Sequence, residues 1–167
     1  GTYTPFNNQL NLPTSIAANL PPVQALNGTL RFTQETLHLE SIKGSFAGGA
    51  FTANGSTRAQ ESIEIQGQAT VNALRDIPQV TPFAALLDGT LKYQVHVQLK
   101  QGAQHIRVYS DLTDLVLNLP PPLEKIRGQA LPTQFIWHSY ANGKAEFNLH
   151  VGSILRAQYL FSPNSTG

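Results

Sequence analysis

The sequence predicts an all-β protein: a curled antiparallel β-sheet, a meander of the repeating β-groove type, with one short helix. A closed β-sandwich is the alternative. Three observations carry this expectation. In Ile63 to Ala73 every odd position is apolar or glycine and every even position is polar, and Leu91 to Lys100 follows the same rule throughout. Strands of period two have one dry and one wet face, which favours antiparallel pairing. Glycine-bearing turn signals at Gly102-Ala103 and Asn142-Gly143 separate apolar runs, as hairpins require.

Composition limits the remaining options. The 167 residues are 41% hydrophobic and 13% charged, well under the ~25% charge of an average domain. A net charge of +1 lacks the electrostatic footprint of a nucleic-acid binder, so no nucleic-acid partner is expected. Without cysteine there are no disulfides, thiolate metal sites or thiol nucleophiles. No stretch approaches the ~18–20 apolar residues of a membrane span. The absence of methionine and the start at Gly1 suggest a segment excised from a longer chain.

Residues 1–25, with prolines and asparagines such as Pro5, Asn7, Pro13 and Asn19, are expected to form an extended lead-in. Residues 26–161 form a single β-rich domain of two related strand units, about 26–86 and 87–161, and 162–167 are a tail. A two-residue Gly102-Ala103 loop of type II′ would set Leu99 opposite Ile106, Val97 opposite Val108, His96 opposite Tyr109 and His105 opposite Lys100. Asn142-Gly143 would set Tyr140 opposite Ala145, His138 opposite Phe147 and Ile136 opposite Leu149. The apolar set moves from even positions (Ile106, Val108, Leu112) to odd ones (Leu115, Leu117, Leu119), which predicts a bulge near Thr113-Asp114. Gly48-Gly49 marks a similar break. The one helix is expected over Pro82 to Leu87, with Thr81 as N-cap and an apolar face of Phe83, Leu86 and Leu87.

An internal echo supports the two units. Leu26-Asn-Gly-Thr-Leu-Arg-Phe32 and Leu87-Asp-Gly-Thr-Leu-Lys-Tyr93 agree in character at every position. Each unit of about four strands is unable to bury its dry face alone, as in other stacked architectures.

The segment Ser110 to Lys125, ending in Leu-Pro-Pro-Pro-Leu-Glu-Lys, followed by Gln129-Ala-Leu-Pro132, resembles a recurring signature of the YhdP-type branch of the AsmA-like family of Gram-negative envelope proteins. Ile42-Lys-Gly-Ser-Phe-Ala-Gly-Gly49 and the two glycine-led strand starts occur in the same order in that family. The resemblance implies a long curled sheet with an apolar channel, a periplasmic location under an inner-membrane anchor, and phospholipid transport toward the outer membrane. It also implies other segments of the same parent protein as neighbours, and an envelope protein is a further partner to be considered.

The residues proposed to line a lipid groove are those of the unmatched dry face. They are Ile63, Ile65, Val71, Leu91, Tyr93 and Val95, continuing through Val97, Leu99, Ile106, Val108 and Leu112. A filled sandwich core would use the same side chains, in a scaffold or interaction module that binds no lipid. Phe135 and Trp137, placed opposite His150 and Asn148, are read as a partner or groove-rim patch. Lys125 and Arg127 are solvated charges or contacts for head-group phosphates. The five histidines show no metal-ligand spacing, and neither metal nor cofactor is expected. The carboxylates of Glu61/Glu64 and Asp111/Asp114 are three apart and point to opposite faces, so catalysis is not expected.

Overall fold

The computed structural model describes residues 2–3, 8–10, 21–58, 60–78 and 80–162. Period-two patterning places twelve strands in one antiparallel sheet. Strands β1 (Thr2–Tyr3) and β2 (Asn8–Leu10) pair with β3 (Val23–Phe32). Strands β4 (Leu37–Phe46), β5 (Gly49–Ser56), β6 (Ile63–Thr70), β7 (Leu87–Lys100) and β8 (Ala103–Ser110) follow, each beside its predecessor. Short β9 (Leu115–Leu117) pairs with the start of β7, and β10 (Thr133–Ser139), β11 (Ala145–Val151) and β12 (Leu155–Phe161) extend the sheet from β8. The path runs from β1 to β12 without closing, with β2 attached to β3 and β9 to β7, so all described strands belong to one sheet. The meander is therefore the fold, and the closed sandwich is not. Most of the expected lead-in, and residues 163–167 of the expected tail, lie outside the described residues.

The expected break between β8 and β9 is present. The chain takes six steps from Tyr109 to Leu115 while β7 takes five from Gln94 to Gly89, one residue more, and Leu112 adopts a left-handed backbone (φ 54°). Gly48-Gly49 is instead a hairpin: Phe46 pairs with Gly49 across Ala47 (φ 49°) and Gly48 (φ 77°), the two positive angles of a type I′ turn. The Pro120 to Pro122 segment forms a turn. Leu123 N–H donates to the Pro120 carbonyl, and the chain doubles back so that Lys125 bridges Leu117.

Two elements differ from expectation near the helix. Strand β6 stops at Thr70, whose hydroxyl accepts the Ala73 N–H and caps a single helical turn, α1 (Val71–Leu74). Val71, expected in the groove, is thereby buried at 3% exposure beneath the end of the sheet. The predicted helix is a 3₁₀ segment, Thr81–Leu86, with Pro82 in its first turn. Thr81 is not its cap; that hydroxyl donates back to the Arg75 and Ile77 carbonyls. Ala84 is the buried residue, and Phe83 points outward at 56% exposure.

The two echoing strand starts share one device. A Cβ on Gly28 (φ 128°) would lie 2.6 Å from the Ser41 carbonyl oxygen, and one on Gly89 (φ 106°) would lie 2.3 Å from that of Asp114. Each glycine faces a strand interrupted by a left-handed non-glycine residue, Ser41 (φ 52°) or Leu112 (φ 54°). Only a residue without a side chain lets the displaced strand approach so closely.

Gly28→Ala and Gly89→Ala should each cost more than Gly128→Ala, whose added Cβ meets nothing within 4 Å although φ is 85°. The expected losses are about 2–3 kcal/mol for the first two and about 1 kcal/mol for the control, read from urea unfolding. Equal losses at all three positions would contradict the close-approach account.

Candidate functional site

Residues directly opposite in an antiparallel pair share a face, so the registers define which side chains meet. One rung runs Leu30, Leu39, Gly55, Ile63, Val97, Ile106, Trp137, Phe147, Tyr159 across β3 to β12. The next runs Ile42, Ala53, Ile65, Val95, Val108, Phe135, Leu149, Ala157. These two rungs contain no polar side chain until Tyr159. Leu39 and Ile42, an odd number of residues apart, reach the same face because the register shifts between them.

The third rung alternates glycine and ring: Gly44, Phe51, Gly67, Tyr93. The Phe51 ring lies where a Gly44 side chain would be, and the Tyr93 hydroxyl lies 2.7 Å from where a Gly67 Cβ would be. Each aromatic thus covers the glycine of the neighbouring strand. Burial pushes the Tyr93 phenol above its ordinary pKa.

Burial is uneven along this face. Over β3 to β6, Leu26, Ile42 and Ala53 form a packed cluster with Val23, Leu39, Phe51 and Ile65 against it. From β7 onward Val95, Val97, Ile106, Val108, Phe135 and Trp137 are only half-buried, and Leu99, Tyr159 and Phe161 are exposed. A cavity of about 710 Å³ opens at one end of the sheet between the β3–β4 turn, the β5–β6 loop and the β7–β8 hairpin.

Of the eleven residues expected in the groove, Ile63, Ile65, Leu91, Tyr93, Val95, Val97, Leu99, Ile106 and Val108 share this face. Ile63 is a core residue there at 7% exposure. Val71 is drawn into α1, and Leu112 sits in the β8–β9 turn, off the ladder. Phe135 and Trp137 extend the same face opposite Leu149 and Phe147, not opposite His150 and Asn148. Their rings meet others: Phe135 packs edge-on to Phe147 at 5.0 Å, and Trp137 lies 5.5 Å from Phe161. Apart from Tyr93 the apolar face is aliphatic over β6 to β8, and its aromatic rings gather over β10 to β12.

A family model described as YhdP protein matches residues 1–167. The chain belongs to the YhdP family. No curated protein and no solved structure matches it.

The opposite face of this YhdP-family chain is polar and carries all five histidines. His96 pairs with Glu64 and stands opposite Arg107, and His105 stands opposite Gln98 and His138. These partners replace the expected Tyr109 and Lys100, because the β7–β8 turn is Gln101-Gly102, one residue earlier than the glycine signal implied. His105, His138 and Tyr140 stack at 5.2 and 4.3 Å. Burial first, then His138 and Arg107, hold His105 below the ordinary histidine value. Among the described residues no group of three or more metal-ligating side chains converges, and no helix is long and apolar enough to cross a membrane.

Lys125, expected as a solvated charge or a head-group contact, is neither. Its side chain is 2% exposed and its ammonium donates to the carbonyls of Leu115 at 2.5 Å, Ile126 at 3.2 Å and Thr113 at 3.5 Å. All three ammonium protons are used on backbone oxygens, so this group staples the β8–β9 region and is not presented to a head group. Burial pushes its pKa below the usual lysine value. Arg127 remains exposed and lies 3.7 Å from Asp88. The run from Pro120 to Glu124 is itself exposed, so no local signal in the sequence marks Lys125 as buried.

Lys125→Met removes the ammonium from the Leu115, Ile126 and Thr113 carbonyls, of which Thr113 keeps the Gly128 N–H and Ile126 the Gln129 N–H, and should cost about 1–3 kcal/mol in thermal or urea unfolding. Any change it makes in lipid uptake should be the same for anionic and zwitterionic vesicles. A selective loss for anionic lipid would restore a head-group role.

Acid should also destabilise the fold. The Thr113 N–H holds the Asp111 carboxyl below the usual range, and the Asn148 and Gln158 amides do the same for Glu146. A carboxylate with a depressed folded pKa contributes stability above its unfolded value, about 4, and loses it as pH falls through the folded value. Unfolding measured from about pH 5 to 2 should show that loss, and Glu146→Gln should flatten it. An unaltered acid limb in this variant would refute the assignment.

Proposed function

We propose that this chain is a non-enzymatic lipid-binding segment of a periplasmic, inner-membrane-anchored YhdP-family protein. It shelters phospholipid acyl chains along the apolar face for passage toward the outer membrane. The observation that carries the reading is the half-buried apolar face from β7 to β12, which no second layer among the described residues covers. Exposed apolar surface on this scale is characteristic of an interaction site. Sheltering an acyl chain of about sixteen carbons is worth on the order of 12 kcal/mol at ~0.8 kcal/mol per methylene, and an apolar trough supplies that without a dedicated polar group. Family membership supports the same direction.

Native mass spectrometry of the purified chain should detect co-purified phospholipid, and the chain should take up fluorescent phospholipid from vesicles. Val97→Asp places a charge at the centre of the uncovered face; it should retain cooperative unfolding and lower uptake about tenfold or more, ~1.4 kcal/mol. Severe unfolding of this variant, together with a lipid-free mass and no uptake by the wild type, would reject the proposal in favour of an envelope scaffold.

A further inference from the structure

The polar face has its own depression. A cleft of about 490 Å³ is lined by Thr52, Gln66, Gln68, Gln94, Tyr109 and Asp111, with residues of the rung between them. It lies on the polar side, because the apolar residues flanking that rung, Ile65, Val95, Ala69 and Leu91, do not line it. A second hollow of about 250 Å³ adjoins it, sharing Thr52, Gln66 and Gln94 and adding Asn54, Glu64 and, between Glu64 and Gln66, Ile65. Together they make an elongated trough across β5 to β8. Its volume is within the range of small-ligand sites.

The chemistry of the lining is mainly uncharged. The side-chain amides of Gln66, Gln68 and Gln94 make no hydrogen bond to another described residue, so their donors and acceptors remain available. Each amide offers two N–H donors beside one carbonyl acceptor, matching hydroxyl groups that both donate and accept. Tyr109, opposite Gln94 and 40% exposed, adds an aromatic surface with a polar tip. Lys92 is engaged by Asp114 at 2.7 Å, and Asp111 lies beside it, so an anion finds no free cation in the cleft.

We propose that this cleft binds a neutral oligosaccharide through its ring hydroxyls, on the face opposite the apolar trough and independently of it. The exposed side chains of Gln66 and Gln94, opposite each other across β6 and β7, line both hollows, with Thr52 beside Gln66, Gln68 one rung along β6 and Tyr109 on the β8 side of Gln94.

The full chain can be titrated with maltohexaose and with chitohexaose while its side-chain amide resonances are followed by NMR. Saturable shifts of Gln66, Gln68 and Gln94 with at least one glycan are expected. Gln94→Ala and Tyr109→Ala should each weaken binding about five- to tenfold at unchanged melting temperature. Absence of shifts with both glycans, shifts confined to the apolar face, or wild-type binding by Gln94→Ala would overturn the proposal. Gln94→Ala should keep lipid uptake and Val97→Asp should keep glycan binding, so failure of either site is read separately from the other.

Discussion

The structure depends on the register of its antiparallel ladder. Because side chains alternate with period two, a slip of one residue in any pair would turn the apolar set of that strand to the polar side. The rungs show how strictly this is met: Ile63, Val97, Ile106, Trp137 and Phe147 stand in line across β6, β7, β8, β10 and β11. Such alignment needs more than good turns. Extra residues in β4 and between β8 and β9 shift one flank relative to the other, and Gly28 and Gly89 let the displaced strand come close.

Alternation in Ile63 to Thr70 and in Leu91 to Lys100 was sufficient to identify those strands and which of their side chains share a face, because burial on one side leaves a direct trace in composition. The turns were harder. Shifting the β7–β8 turn to Gln101-Gly102 moves the register by two, so the face is kept while the partners change: Val108 meets Val95 instead of Val97, and Ile106 meets Val97 instead of Leu99. In the β10–β11 hairpin the shift is by one. Tyr140 N–H donates to the Lys144 carbonyl, and Gly143 (φ 82°) closes a three-residue loop, so the Asn-Gly pair ends a longer turn and Trp137 meets Phe147. An Asn-Gly pair signals a hairpin but does not state its loop length.

What escaped the sequence depended on tertiary context. Val71 continues the alternation perfectly, yet Thr70 caps a helical turn and removes it from the sheet. The alternation also does not reveal where the apolar face is packed and where it is open. That division follows from the clustering of Leu26, Ile42 and Ala53 at one flank and the lack of a covering layer over the described strands at the other. The candidate site is therefore legible as a set of residues but not as a shape.

The enclosure of the Lys125 amine has a practical corollary. Lys43, Lys92, Lys100 and Lys144 all present their side chains to solvent. An acylating reagent will modify those four first and reach the fifth only when the β9 turn opens. Differential labelling of a single position thus provides an intrinsic clock for local unfolding in this part of the chain, without any introduced probe.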